Sequence, residues 1–366
     1  MNDFKRETEY LLAPQLAACE RVIRSGWYIL GPEVLGFERE WGMQCGSPHV
    51  VGVGNGMDAL EIGLRALAIG AGDEVITTPL TAFATVLAIL RAGATPVLAD
   101  IDSKTALLDL PSVERCLGPR TRAVMVVHLY GQAAPVDAFQ ALCGARNIHL
   151  IEDCAQAHGA RWEGKPVGTF GAFAGWSFYP TKNLGALGDG GALSTGSESI
   201  AAAARQLRNY GQSVRYQHPV AGLNSRLDEM QAALLRVRIP HLQKWVGARR
   251  EVARMYTDGI HHPDVRLLSI PPQAERHAHH LFVLTCDRRD ALQSHLAERG
   301  VESLIHYPVP IHHQQPCRHL QRDPEGLCRA EQHAATCLSI PCHPFLKPEE
   351  TQAVIDAVNS FPQSRA

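Results

Sequence analysis

The chain lacks any apolar run approaching the roughly 18 residues of a membrane span. Its first ten residues, MNDFKRETEY, are charged where an export signal carries an apolar core. Neither insertion nor export is therefore expected, and the sequence reads as cytoplasmic. It also lacks an excess of charge: 35 Lys and Arg face 37 Asp and Glu, a formal net charge of -2, without long blocks of one sign. That leaves no electrostatic footprint for a nucleic-acid backbone or an anionic membrane. Paired cysteines are missing too. The ten cysteines are scattered without CxxC spacing through 366 residues, a chain too large to need disulfide staples, so they read as reduced and mostly buried. The 18 histidines gather at HAHH (His277, His279, His280) and at IHHQQPCRH (His312, His313, Cys317, His319). Neither stretch has the HExxH or paired-Cys spacing that fixes a coordination geometry, so no metal is expected.

What is present is alternation. Between about residues 50 and 195, short β-rich runs (HVVGVG, DEVITTP, TPVLAD, RAVMVVHLY, NIHLIED, AFAGWSF, GGALST) are separated by segments with helical spacing, such as GMDALEIGLRALAIG and PVDAFQALCGARN. Near-continuous apolar strands alternating with helices imply an α/β fold, a mostly parallel sheet covered on both faces. Ligands bind such sheets at the carboxyl ends of the strands. Residues 226–260 read as a long helical connector broken at Pro240, with Asn224 or Ser225 as its cap. Beyond it, LFVLTC and DRRDALQSHLAERG predict a strand and then a helix with an aspartate cap and a closing glycine, part of a smaller C-terminal α+β domain.

Four stretches fall where a strand-end site would collect them. GVGNGMDALEIGL is a glycine-rich turn opening a helix whose first amides are free for a phosphate; alone it is equally a tight turn. HLIEDCAQAHGA ends a strand on Glu152 and Asp153, with Gln156 and His158 just after. A buried carboxylate needs a positive partner, and the protonated nitrogen of a pyridine ring would serve; a capped, solvated strand end is the plainer alternative. SFYPTKNLGALGDGGALS places Lys182 five residues after Ser177, whose hydroxyl could bind phosphate. Lysine is the residue for covalent capture of a carbonyl, although most loop lysines are merely solvated. GLNSRLDEMQAALL carries Asn224 and Arg226, with Met230, Leu234 and Val237 following as a stripe suited to core or subunit interface.

Taken together, GWYILGPEVLGFERE, GDEVITTP, VHLYGQ, EDCAQAHGA, SFYPTKNLGALGDGGALST, GLNSRLDEMQAALL, IHYPVPIH and LSIPCHPFL resemble the DegT/DnrJ/EryC1/StrS family of nucleotide-sugar aminotransferases, along nearly the whole chain. The resemblance implies a pyridoxal phosphate fold type I architecture: an N-terminal segment (1–30) packing on the small domain, a large cofactor-binding domain (31–245) and a small C-terminal domain (246–366). It implies that Lys182 holds pyridoxal 5'-phosphate and that Asp153 pairs with the ring nitrogen. Gln156 would lie beside the ring, and Gly56, Met57 and Ser177 at the phosphate. Asn224 would reach the phosphate of a neighbouring subunit, hence a homodimer, while His158, His306 and Tyr307 would shape the sugar-nucleotide pocket. The implied reaction carries an amine from L-glutamate, through pyridoxamine 5'-phosphate, to a nucleotide-linked keto-sugar. YGQSVRYQHPVAGLNSRLDEMQAALLRV looks more like members acting at C3 of a 3-keto-hexose nucleotide, such as a dTDP-3-keto-6-deoxyhexose, than like those acting at C4. The related sugar dehydratases replace the lysine by histidine, which Lys182 argues against, and a non-catalytic regulator would be expected to lose part of the set. One departure concerns TAFAT: the aromatic that stacks on the ring in the family is displaced, with Ala82 in its place and Phe83 one position later.

Overall fold

A computed structural model describes residues 3–363. Helices α1 (Phe4–Ser25) and α2 (Pro32–Cys45) precede an alternating run: β1 (His49–Val53), α3 (Gly56–Ala66), β2 (Glu74–Thr77), α4 (Phe83–Arg91), β3 (Thr95–Leu98), α5 (Leu110–Cys116), β4 (Thr121–Val127), α6 (Val136–Arg146) and β5 (His149–Asp153). A small hairpin, β6 (Arg161–Trp162) and β7 (Lys165–Pro166), leads to β8 (Phe173–Ser177), β9 (Gly191–Thr195) and α7 (Glu198–Leu207). Then come α8 (Glu229–Arg238), α9 (Leu242–Gly259), β10 (Val265–Leu267), β11 (Phe282–Cys286), α10 (Arg289–Glu298), α11 (Cys328–Thr336), β12 (Cys337–Ile340) and α12 (Pro348–Asn359).

The large sheet has the strand order β1-β9-β8-β5-β4-β2-β3, and only β9 runs against the others. Strand alternation sends successive side chains to opposite faces. Ile151 packs with Ala123, Met125 and Phe173 beneath α3, α4 and α7, whereas Leu150 packs with Val124, Val126 and Phe139 on the other face. Asp153 shares the face of Ile151, and Glu152 that of Leu150, so two adjacent acids at the strand end look in opposite directions.

The C-terminal region forms a three-stranded antiparallel sheet, β10-β11-β12. Its core joins Phe282, Leu284 and Leu338 to Leu292 of α10 and Val354 and Ile355 of α12. Helix α9 serves both regions: Leu242, Trp245 and Val246 pack in a core with Trp41 and Trp176, while Val252, Ala253 and Tyr256 belong to the C-terminal core. It runs without a break through residues 245 and 246. Helix α1 also bridges. Near its start, Arg6 donates to both carboxylate oxygens of Glu350 at 2.6 Å, and toward its end Ala18 and Val22 pack on Ala233 of α8, flanked by Met230 and Val237. Among the described residues, no helix is long and apolar enough to cross a membrane.

Two expected caps are corrected. Helix α8 begins after Asp228, not after Asn224 or Ser225, because the Ser225 hydroxyl accepts the amide of Gly54 at 3.0 Å. Helix α10 has no side-chain cap, because Asp287 is drawn to Arg266 on the adjoining strand. The expected break at Pro240 is a single 3-10 turn, Ile239–His241, and Gly300 takes the left-handed conformation expected just past α10, at φ +73°.

Candidate active site

The site lies at the carboxyl ends of β5 and β8. Asp153 closes β5 and is buried. Its Oδ2 accepts the Thr85 hydroxyl at 2.8 Å, and its Oδ1 accepts the Ala155 amide at 3.1 Å. Burial pushes the carboxyl above its ordinary value, while Thr85, Ala155 and the nearby Lys182 charge pull the other way. Lys182 sits in the turn after β8, its amide donating to Tyr179 O at 2.9 Å. The turn folds back on itself through Phe178 N to Gly190 O and Ala186 N to Phe178 O, both at 2.7 Å. Asn183 ties it to the C-terminal region by donating to Ala278 O at 2.8 Å. Burial lowers the Lys182 ammonium to about 8, with Asp153 opposing. An amine so placed is neutral often enough to attack a carbonyl and basic enough to carry a proton.

Helix α3 presents its N-terminus beside this pair. Asn55 caps it by accepting the Asp58 amide at 2.9 Å, and Gly56 and Met57 form its first turn. A Cβ on Gly56 would stand 2.7 Å from the Cβ of Ser177, and one on Gly191 would stand 2.2 Å from the Asn55 carbonyl carbon. Only glycine allows the helix start to lie this close to β8 and β9, which sets the first turn of α3 beside Ser177.

Gln156 is oriented by two bonds: its Oε1 accepts the Tyr130 amide at 2.7 Å, and its Nε2 donates to the Tyr307 hydroxyl at 3.0 Å. The Tyr130 hydroxyl donates to His306 O and meets His333 Nε2 at 3.0 Å. His306 Nδ1 in turn meets Ser339 Oγ at 2.9 Å. Burial pushes the Tyr307 phenol up to about 12, and burial followed by Lys182 lowers His306 to about 4. The C-terminal region thus delivers His306 and Tyr307 to Gln156 and Lys182.

His158 meets a geometry other than the expected one, and Asn224 and Phe83 take the following places. His158 does not line an open pocket: it is fully buried, its ring 5.4–5.7 Å from those of Trp41, Trp176 and Phe178. Burial, then Lys182, lowers it to about 3, so a neutral ring packs behind the lysine and offers no surface to a sugar nucleotide. Asn224 is exposed on an arm with Tyr210, Val214, Tyr216 and Val220, and pairs with Asn209 across an isolated bridge. Phe83 packs against the cluster of Val86, Leu98, Ile311 and Leu320. The displaced aromatic therefore serves the core.

Sequence reading missed other residues. Thr85 lies in the first turn of α4, and its hydroxyl meets that of Thr81, which precedes the helix, at 2.8 Å. Glu152 was seen only as an acid at a strand end. It accepts Gly168 N at 2.7 Å, Phe170 N and Gly171 N at 2.8 Å, and His128 Nε2 at 3.1 Å. His128 Nδ1 accepts the Ala134 amide at 3.0 Å, so the neutral ring carries its proton on Nε2, toward Glu152. Nothing local announces these donors. As for the histidine-rich stretches, His277 and His279 stack face to face at 3.7 Å, while His312 and His313 both meet Glu331.

The profile of the DegT/DnrJ/EryC1/StrS aminotransferase family matches residues 11–359. The dTDP-3-amino-3,4,6-trideoxy-alpha-D-glucose transaminase of Streptomyces venezuelae is 46% identical over 361 residues, covering 98% of this chain and 95% of that protein. Among solved structures, S. venezuelae DesV in complex with a ketimine intermediate matches with a TM-score of 0.94 at 46% identity, over 98% of this chain and 96% of that one. NtdA of Bacillus subtilis with bound cofactor PMP matches with a TM-score of 0.89 at 26% identity, over 96% and 82%. These neighbours are pyridoxal phosphate fold type I aminotransferases. With its mostly parallel sheet and an amine facing a carboxylate at the strand ends, the chain belongs to the DegT/DnrJ/EryC1/StrS aminotransferase family.

Proposed function

We propose that the protein transfers an amine from L-glutamate to the ketone of a sugar nucleotide, at C3 of a 3-keto-hexose such as a dTDP-3-keto-6-deoxyhexose, using pyridoxal phosphate held on Lys182. One observation carries this reading: Asp153 ends β5, which pairs with β8, and Lys182 stands in the turn that follows β8, beside the start of α3. The donor set suits the cofactor. An amine meets its aldehyde, a buried carboxylate its ring nitrogen, and the Gly56 and Met57 amides with Ser177 its phosphate. The choice of C3 draws on the S. venezuelae relative, a 3-amino sugar transaminase.

The bound cofactor supplies an electron sink for the carbanion formed when a proton leaves carbon. The chain does the rest. Lys182 would hold the cofactor, and its amine, once released, is the group placed to carry the proton that the reaction moves. Asp153 would pair with the ring nitrogen and keep it protonated. Gln156, fixed by its bond to Tyr307, would lie beside the ring, and His306 and Tyr307 would shape the sugar-nucleotide pocket. Each half of the reaction releases its product before the next substrate binds, so ping-pong kinetics are expected.

The same proposal includes a homodimer acting in the cytoplasm, with the large domain ending near residue 245 within α9. Trp27, Tyr28 and Ile29 are exposed, and Ile29 pairs with Asp228. Leu187, also exposed, donates its amide to Gln231 Oε1 at 2.9 Å, which places an apolar surface beside the α8 start. Such a surface suits a second copy, toward whose phosphate Asn224 would extend. A panel of 3-keto and 4-keto sugar nucleotides with glutamate, read by product mass, tests the reading. Amination of the 3-keto compounds is expected; exclusive amination at C4 contradicts it.

A further inference from the structure

Asp153 is not held by charge alone. Its Oδ2 lies 2.8 Å from Thr85 Oγ1, and Thr85 Oγ1 lies 2.8 Å from Thr81 Oγ1. A threonine hydroxyl has one proton, and a carboxylate can only accept. Thr85 must therefore give its proton to Asp153, and the second contact must be donated by Thr81. The three groups form a directed chain, Thr81 to Thr85 to Asp153, in which each bond polarises the next. A protonated Asp153 would no longer require that direction.

The chain stands on fixed ground. Thr81 precedes Ala82, the residue that caps α4, and Thr85 belongs to the first turn of that helix, the end carrying positive partial charge. The other carboxylate oxygen is taken by Ala155 N at 3.1 Å. Turning the carboxylate would break both contacts at once. Other groups that act on Asp153 are Lys182 from the turn after β8, His128 from the end of β4 and Tyr307 from the C-terminal region. Of these only Lys182 brings a charge, and in the proposed resting state that nitrogen is bonded to the cofactor. The hydroxyl chain and the Ala155 amide are then what remain on the protein side to favour the ionised carboxylate.

We infer that Thr85, backed by Thr81, is a positioning residue that keeps Asp153 ionised and turned toward the ring nitrogen of the cofactor. This rests on the reading of Asp153 given under the proposed function. The test uses the full-length protein freed of cofactor, titrated with pyridoxal phosphate across a pH series. Thr85→Val keeps the shape and removes the proton; Thr85→Ser keeps a hydroxyl; Thr81→Val removes only the outer donor.

Thr85→Val is expected to weaken cofactor binding by about tenfold, the scale of a hydrogen bond to a charged group. The acid limb of binding should move to higher pH, because the carboxyl has lost a group that holds it down. Thr85→Ser should restore both properties, and Thr81→Val should show the same shift on a smaller scale, about threefold. A Thr85→Val protein with wild-type affinity and an unmoved acid limb overturns the inference, as does a serine variant indistinguishable from valine. Where Thr85→Val fails to fold, Thr81→Val decides by the same readouts. A wild-type protein that binds no pyridoxal phosphate is a distinguishable outcome, for it removes the reading of the site and this inference with it.

Discussion

Glu152 and Asp153 are adjacent, end the same strand and are both buried, yet they face two different regions. Glu152 looks toward the 168–171 turn and is met by three backbone amides and a histidine nitrogen. Asp153 looks toward α4 and Lys182 and is met by one amide and one hydroxyl. The first is saturated by its own chain and closes a structural knot. The second keeps acceptor capacity for something else. Burial of a carboxylate therefore does not identify a reacting group; what distinguishes the two is how many of the lone pairs the protein itself has filled.

Asp153→Asn is the harshest way to break the contrast. It preserves shape but removes the charge, and kcat should fall by about a thousandfold while the unfolding free energy changes little. Steady-state kinetics and urea unfolding on one preparation check this. Glu152→Gln should do the reverse. An amide NH2 would face a backbone N–H, costing about 3 kcal/mol of stability in urea unfolding, with turnover per folded molecule largely kept. If the glutamine variant is stable but dead, the division of labour is wrong. His128→Phe leaves Glu152 with its three amides but strips the Ala134 amide of its acceptor, and should cost about 1–2 kcal/mol.

The smallest effect sharpens the comparison through pH. Capture of pyridoxal phosphate by cofactor-free protein needs the neutral Lys182 amine, so the capture rate should rise about tenfold per pH unit and level off above about 8. The Asp153 charge raises the lysine value, so Asp153→Asn should shift that limb to lower pH. Glu152→Gln should leave it in place. Stopped-flow absorbance across pH 6–9 would resolve the two.

Much of this contrast was open to sequence reading, and the part that was not has a common cause. Strand and helix alternation, the parallel sheet, the Lys182 turn and the position of Asp153 are local patterns, and they fold as read. The reversed direction of β9 was not legible, since GGALST carries no mark of whether it runs with or against β8. Three of the four donors to Glu152 come from residues 168–171, which show no motif, so its saturation could not be foreseen. His158 follows Asp153 by five residues and looked like a pocket residue. It turns inward because Trp41 of α2, far away in sequence, completes an aromatic cage around it. The helix caps failed for the same reason: Gly54 and Arg266 claimed Ser225 and Asp287 from a distance. Local chemistry was readable, whereas competition for that chemistry by remote segments was not.

The central claim is that Lys182, facing Asp153, is the amine around which the site works. Reducing the protein with borohydride in the presence of pyridoxal phosphate and mapping the labelled peptide by mass tests it directly. The label is predicted on Lys182 alone, and Lys182→Ala should neither take it up nor turn over. A stable label on another lysine, or a Lys182→Ala protein that transaminates at the wild-type rate, would contradict the account.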